Sequence, residues 1–159
     1  MAPLLLFSDR MTQIDLTAIN PLTSRIIKCA VEVHRRLGPG LLESVYHVCL
    51  AFELRAAGLT VVENMPVPVC YKDIKFDCAF RADFLVNDTV IVEIKAVAEL
   101  AAVHEAQLLT YLRLTDRPVG LLLNFNVPIL KQGIRRKLNP GTATSTRTPT
   151  NLRGSVPLS

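Results

Sequence analysis

The sequence predicts one mixed α/β (α+β) domain, a single β-sheet flanked by helices, in the order α-α-β-β-β-α-β. Two segments with three-to-four apolar spacing come first, three β-branched segments separated by turn signals follow, and a third helical segment leads into another continuous apolar run. The most apolar strands need cover on both faces, which makes a mixed sheet packed between helices the natural arrangement.

In "PLTSRIIKCAVEVHRRLG", Ile26, Ile27, Ala30, Val31 and Val33 share a helical spacing, with Thr23 or Ser24 as cap and Gly38 as the stop. Gly38-Pro39-Gly40 is the connector to a second helix. There, in "LLESVYHVCLAFELRAAG", Leu42, Val45, Cys49, Phe52 and Leu54 recur until Gly58 ends the pattern. The β-type segments are "LTVVENMPVPVCY", "IKFDCAFRADFLV" and "VIVEIKAV", the last two joined by the turn signal Asn87-Asp88. The third helix is expected over roughly 99–114, broken at Asp116 to Pro118 before the strand "VGLLLNF". Residues 1–22 read as an N-terminal extension, 23–138 as the domain and 139–159, rich in Thr, Ser, Pro and Gly, as a tail expected to be disordered. Met11 is a second candidate start, and the sequence leaves that choice open.

At 159 residues and 50% hydrophobic content the chain is long enough for a real core. The opening "MAPLLLF" does not resemble a secretory signal, and no stretch approaches the ~18 apolar residues of a spanning helix, so a cytoplasmic protein with no membrane partner is expected. Cys29, Cys49, Cys70 and Cys78 form no C-x-x-C pair and read as reduced core residues, with an iron-sulfur cluster the open alternative. A net charge of +4 favours a polyanionic partner. The most compact basic group, "KQGIRRKL", is either part of such a surface or a solvated helix end.

Few polar residues interrupt the apolar segments: Glu43, Arg81, Asp83, Glu93, Lys95, Gln107 and Tyr111. Arg81 and Asp83 share a strand face, as do Glu93 and Lys95. With a two-residue loop at Asn87-Asp88, Asp83 and Glu93 would project to opposite faces. With three residues or a bulge, Asp83 lies opposite Glu93 and Arg81 opposite Lys95, gathering all four charges on one face, and this second register is the one expected. Opposed carboxylates repel, so the arrangement calls for a cation beyond Lys95. A few oxygen ligands with open positions suit Mg²⁺ or Mn²⁺, which retain waters and bind phosphates. With an adjacent lysine, these are the parts needed to cleave a phosphodiester.

Asp83 followed by Glu93-Ile94-Lys95 resembles the PD-(D/E)xK nuclease motif. "GLLESVY" (Gly40, Glu43, Tyr46), "RADFLV", "VIVEIKAV", "HEAQLLTYL" and "LLLNFNVPILKQGI" together resemble the GxxExxY family of that superfamily, from about Thr23 to Leu138. The resemblance implies a restriction-endonuclease-like core with Asp83, Glu93 and the Ile94 carbonyl as metal ligands and Lys95 as the catalytic lysine. It also implies that Glu43 orients water or metal, and that Gln107 and Tyr111 form a Q-x-x-x-Y extension of the catalytic set. Ala82 stands where the superfamily name has proline. The activity so implied is metal-dependent hydrolysis of DNA or RNA; the rival is an inactive nucleic-acid-binding or scaffold domain on the same core. A homodimer or protein partner is the expected source of specificity. Against these roles, Glu43 is equally an acidic residue favoured at a helix start, Tyr46 and Tyr111 are ordinary core aromatics, and His47 and His104 receive no role.

Overall fold

The computed structural model describes residues 14–142 and 144–145. Helix α1 (Leu16–Leu37) lies antiparallel to α2 (Glu43–Ala56), with the Arg25 guanidinium donating to the Ala57 carbonyl at 2.5 Å. The helix α1 begins earlier than Thr23: Asp15 is its cap, accepting from the Thr17 amide at 3.0 Å, and Pro21 lies inside the helix. Thr23 is a buried interior residue whose hydroxyl donates back to the Asn20 carbonyl at 3.0 Å, so it does not cap the helix.

The helix α2 also differs from its apolar pattern. Its buried residues are Tyr46, Leu50, Ala51 and Leu54, while Leu42, Val48 and Phe52 are 74%, 67% and 68% exposed. Of the expected set Leu42, Val45, Cys49, Phe52 and Leu54, Leu54 is buried and Cys49 half-buried, but Leu42, Val45 and Phe52 face water, and the helix packs instead on Tyr46, Leu50 and Leu54.

The central sheet has five strands in the order β2-β3-β4-β5-β6, namely β2 (Val61–Tyr71), β3 (Ile74–Val86), β4 (Val90–Lys95), β5 (Val119–Asn124) and β6 (Ile134–Leu138). Only the β4–β5 pair is parallel, and α3 (Ala102–Thr115) makes that crossover. This is the expected mixed sheet between helices. It has one strand more than the sequence pattern, because "IRRKL" is an edge strand, with Arg135 and Arg136 exposed and Lys137 half-buried, and not a helix end. A small parallel pair joins β1 (Ile14–Asp15) to β7 (Thr144–Ser145). Asn139 is buried and donates to the Leu112 and Arg117 carbonyls; the rest of the tail from 146 lies outside the described residues.

Two cores cover the sheet. One, between the sheet and α1 and α2, contains Phe84, Val86, Val92, Ile94, Leu121 and Phe125. The other, under α3, contains Leu85, Ile91, Leu122, Leu108 and Leu112. Alternation along β4 therefore assigns Ile94 to the first face and Glu93 and Lys95 to the second.

Candidate active site

Val86 pairs with Val90, Leu85 with Ile91 and Phe84 with Val92. The loop between the strands thus has three residues: Asn87 and Asp88 adopt φ of 49° and 53°, and Thr89 donates its amide to the Val86 carbonyl at 3.0 Å. Asn87 is tied down as well, its side-chain oxygen accepting from the Thr60 amide at 2.8 Å. This register brings Asp83 opposite Glu93.

The ladder stops at that point. Although β3 is 13 residues long, its remainder pairs only with β2. Asn64, the residue facing Asp83 on β2, takes a left-handed φ of 51°. The strands change face there: Phe84 and Val86 pack under α1 and α2, whereas Ala82 packs under α3. The β2–β3 arm swings away from β4, and the two strands fork at Asp83 and Glu93. Arg81 accordingly leaves the cluster; it is exposed and donates to the Asn64 carbonyl at 3.3 Å. The expected face of four charges loses that member because the strand turns over before reaching it.

In the fork, side chains replace the missing ladder bonds. The Asp83 amide donates to Glu93 Oε1 at 3.0 Å, and the Ile94 amide donates to Asp83 Oδ2 at 2.7 Å. Each carboxylate is thereby held on the opposite strand with its second oxygen uncommitted by these bonds. The N–H and C=O of one strand residue point to the same side, so the Ile94 carbonyl faces the fork along with its amide, while the Lys95 carbonyl faces β5 and accepts from the Phe125 amide.

Glu93 is 4% exposed. Burial first, then the charges of Asp83 and Glu43, push its carboxyl up to about 8 against the lowering effect of the Asp83 amide and the Lys95 charge. Lys95 is half-buried and, among the described residues, forms no ion pair. The carboxylates are therefore not neutralised by a tight salt bridge. The two carboxylate oxygens not used in these bonds and the carbonyl are hard oxygen donors, the chemistry that suits Mg²⁺ or Mn²⁺. Among the described residues, no group of three or more Asp, Glu, His or Cys side chains is placed to hold a metal ion, so an ion held by Asp83 and Glu93 would take waters or substrate oxygens in its remaining positions.

The other expected site residues lie on the helices α2 and α3 that flank the sheet. Glu43 begins α2 and is exposed, lining a cavity with Ser44, His47, Val48 and Asn64. Tyr111, on α3, is 2% exposed. Its hydroxyl is pushed up to about 12 by burial and by the charges of Glu93 and Asp83, against a hydrogen bond with Gln107, so it stays a proton donor at neutral pH. Tyr46 does not reach the fork. Its hydroxyl donates to the Gly38 carbonyl at 2.6 Å and accepts from the Leu41 amide at 3.2 Å, while its ring stacks on Phe125. Gly40, with φ of 96°, and Tyr46 thus hold the turn that delivers Glu43.

Two residues passed over in the sequence are part of this setting. Asn124, 1% exposed, pairs in register with Lys95; its side chain accepts from the Val97 amide and donates to the Val97 carbonyl, fixing the chain as it leaves β4. An Asn ending the apolar run "VGLLLNF" was the available signal. His47 lies one turn after Glu43, its ring stacked on Phe84 and its Nδ1 3.5 Å from Glu63. His104 is a local cap, accepting from the Ala101 amide. Of the cysteines described, Cys29 is buried, Cys49 half-buried and Cys70 exposed, all with free thiols; Cys70 is thus not a core residue, because it lies on the projecting arm.

The family model of the PD-(D/E)XK nuclease superfamily matches residues 20–137. The chain belongs to that superfamily. Its mixed sheet flanked by helices is the restriction-endonuclease-like architecture of such nucleases. No curated protein and no solved structure matches it significantly.

Proposed function

We propose that the chain is a metal-dependent nuclease, of the GxxExxY kind within its superfamily, hydrolysing phosphodiester bonds in DNA or RNA with Mg²⁺ or Mn²⁺. The observation that carries this reading is the fork: a buried Glu93 and a half-buried Asp83 drawn together by each other's strand, with Lys95 near but not paired. A structural ion pair would close the lysine onto a carboxylate. A site prepared for a cation leaves the carboxylate oxygens free.

Asp83, Glu93 and the Ile94 carbonyl would hold the ion, with Glu43 approaching from α2. Mg²⁺ or Mn²⁺ when bound polarises a phosphoryl oxygen and makes bound water more acidic. Lys95 acts as catalytic lysine, orienting the attacking water and meeting the negative charge that develops on the phosphoryl oxygens. Tyr111, protonated at neutral pH, and Gln107 offer hydrogen bonds to the substrate backbone from the α3 side. Asn124 positions the end of β4 without touching substrate. No described helix is long and apolar enough to cross a membrane; residence in the cytoplasm, and a homodimer or protein partner supplying specificity, are parts of the same proposal.

Incubation of labelled DNA and RNA panels with Mg²⁺ or Mn²⁺ tests it. Wild type should cleave, and Lys95→Ala should lose at least about 10²-fold in rate while remaining folded, as expected for removing a group that stabilises transition-state charge. Cleavage unchanged in Lys95→Ala would reject the assignment. Specific nucleic-acid binding without turnover would favour the scaffold alternative.

A further inference from the structure

The β2–β3 arm carries large apolar side chains into water. Tyr71 is 61%, Phe76 48% and Phe80 44% exposed, interleaved with exposed Lys72, Lys75 and Arg81 and with Asp73 and Asp77. Phe80 is the one nearest the fork. Its ring lies 6.0 Å from that of Tyr111, tilted by 50°, and both line an open groove of about 440 Å³ together with Gln107 and Thr110. Tyr111 is also the residue whose hydroxyl feels the charges of Glu93 and Asp83. Phe80 lies three residues before Asp83 on β3, so the groove flanks the strand that carries one candidate catalytic carboxylate.

We propose that Phe80 is a base-stacking platform and that the cleft takes single-stranded DNA or RNA, with the base next to the bound phosphate lying on the Phe80 ring. This rests on the reading of the fork as a nucleic-acid site. Aromatic faces bind bases of any sequence once those bases are unstacked from their neighbours. In a duplex both faces of an internal base are already covered, so a platform beside the reacting centre discriminates by strand form. Cross-strand packing explains why an aromatic suits this strand, since Phe80 faces Val67. It does not account for a ring left half in water at the mouth of a groove.

The chain contains no tryptophan, so Phe80→Trp installs a single fluorescent reporter at the platform while keeping an aromatic face. In EDTA, where turnover is suppressed, a single-stranded oligonucleotide should quench that fluorescence and the matching duplex should not. By anisotropy, Phe80→Leu should weaken binding of single strands by roughly 5- to 100-fold and leave duplex affinity within about twofold, with Phe80→Trp retaining wild-type affinity. Binding of single strands without quenching, or duplex bound as tightly as single strands, would overturn the proposal. Because these readouts need no cleavage, they separate it from the nuclease reading: quenching without turnover under Mn²⁺ would count against the nuclease alone, and duplex cleavage without quenching against the platform alone.

Discussion

Glu93 gives up nearly all its contact with water on folding, and the pH dependence of stability should carry that signature. Its carboxyl rises from 4.5 to about 8 in the metal-free fold. Between those values the folded state holds a proton that the unfolded chain has released, so the contribution to stability is complete below the lower value and lost as pH rises through the upper one. Denaturant titrations in EDTA should show wild type losing on the order of 5 kcal/mol across this window, with Glu93→Gln nearly flat. A wild type whose stability rises over the same range would contradict the assignment. Tyr46 belongs to the same scale with a different role: Tyr46→Phe removes both hydrogen bonds to the Gly38–Leu41 turn and should cost about 1–2 kcal/mol while leaving cleavage within severalfold. The charged site residues were legible in the sequence because a carboxylate inside a β-branched run is conspicuous. Phe80 and His47 were not, because an aromatic on a strand or a histidine on a helix is unremarkable until its neighbours are known.

At the scale of elements, Lys95 ends β4, and its direction depends on how the chain is held beyond it. Asn124 does this through Val97, so Asn124→Ala should cost about 2–3 kcal/mol for the orphaned buried groups and lower cleavage more than it lowers Mn²⁺ binding. Equal losses in both would make Asn124 merely structural. Gly133, at the turn into β6, is placed so that an added Cβ would meet the Asn124 carbonyl oxygen at 2.2 Å; Gly133→Ala should displace β5 and reproduce part of that defect in thermal melts and activity. The types of the main elements followed from periodicity. Two features did not. The buried face of α2 was misjudged because its exposed side is as apolar as its covered one, and β6 was missed because an edge strand with Arg135, Arg136 and Lys137 lacks the apolar run that marks a buried strand. The fork itself had no sequence signal: it depends on a left-handed Asn64 opposite Asp83, and Asn in a strand is read only as a weak interruption.

For the whole molecule, the +4 charge is less available than its count suggests. Arg135 and Lys137 both pair with Glu105, and Arg136 donates to Asn20 at 2.7 Å, whereas Lys131 is exposed. If this edge touches the phosphate backbone, Lys131→Ala should reduce the slope of log affinity against log salt by roughly one contact, with a smaller change from Arg135→Ala. An affinity indifferent to salt would remove the edge from the interface.

The claim that the fork is built for a cation is tested most directly by thermal melts with and without Mn²⁺ on wild type, Glu93→Gln and Lys95→Ala. Mn²⁺ should stabilise wild type by mass action and Lys95→Ala equally, because the lysine does not hold the ion. Glu93→Gln should be as stable as wild type or more so without Mn²⁺, since a neutral amide avoids the cost of holding a titrating carboxyl buried beside Asp83, and should gain nothing from Mn²⁺. Loss of about 3–5 kcal/mol in metal-free Glu93→Gln, the cost of stranding a buried charge, together with a wild type indifferent to Mn²⁺, would show instead that Asp83, Glu93 and Lys95 form a structural ion cluster.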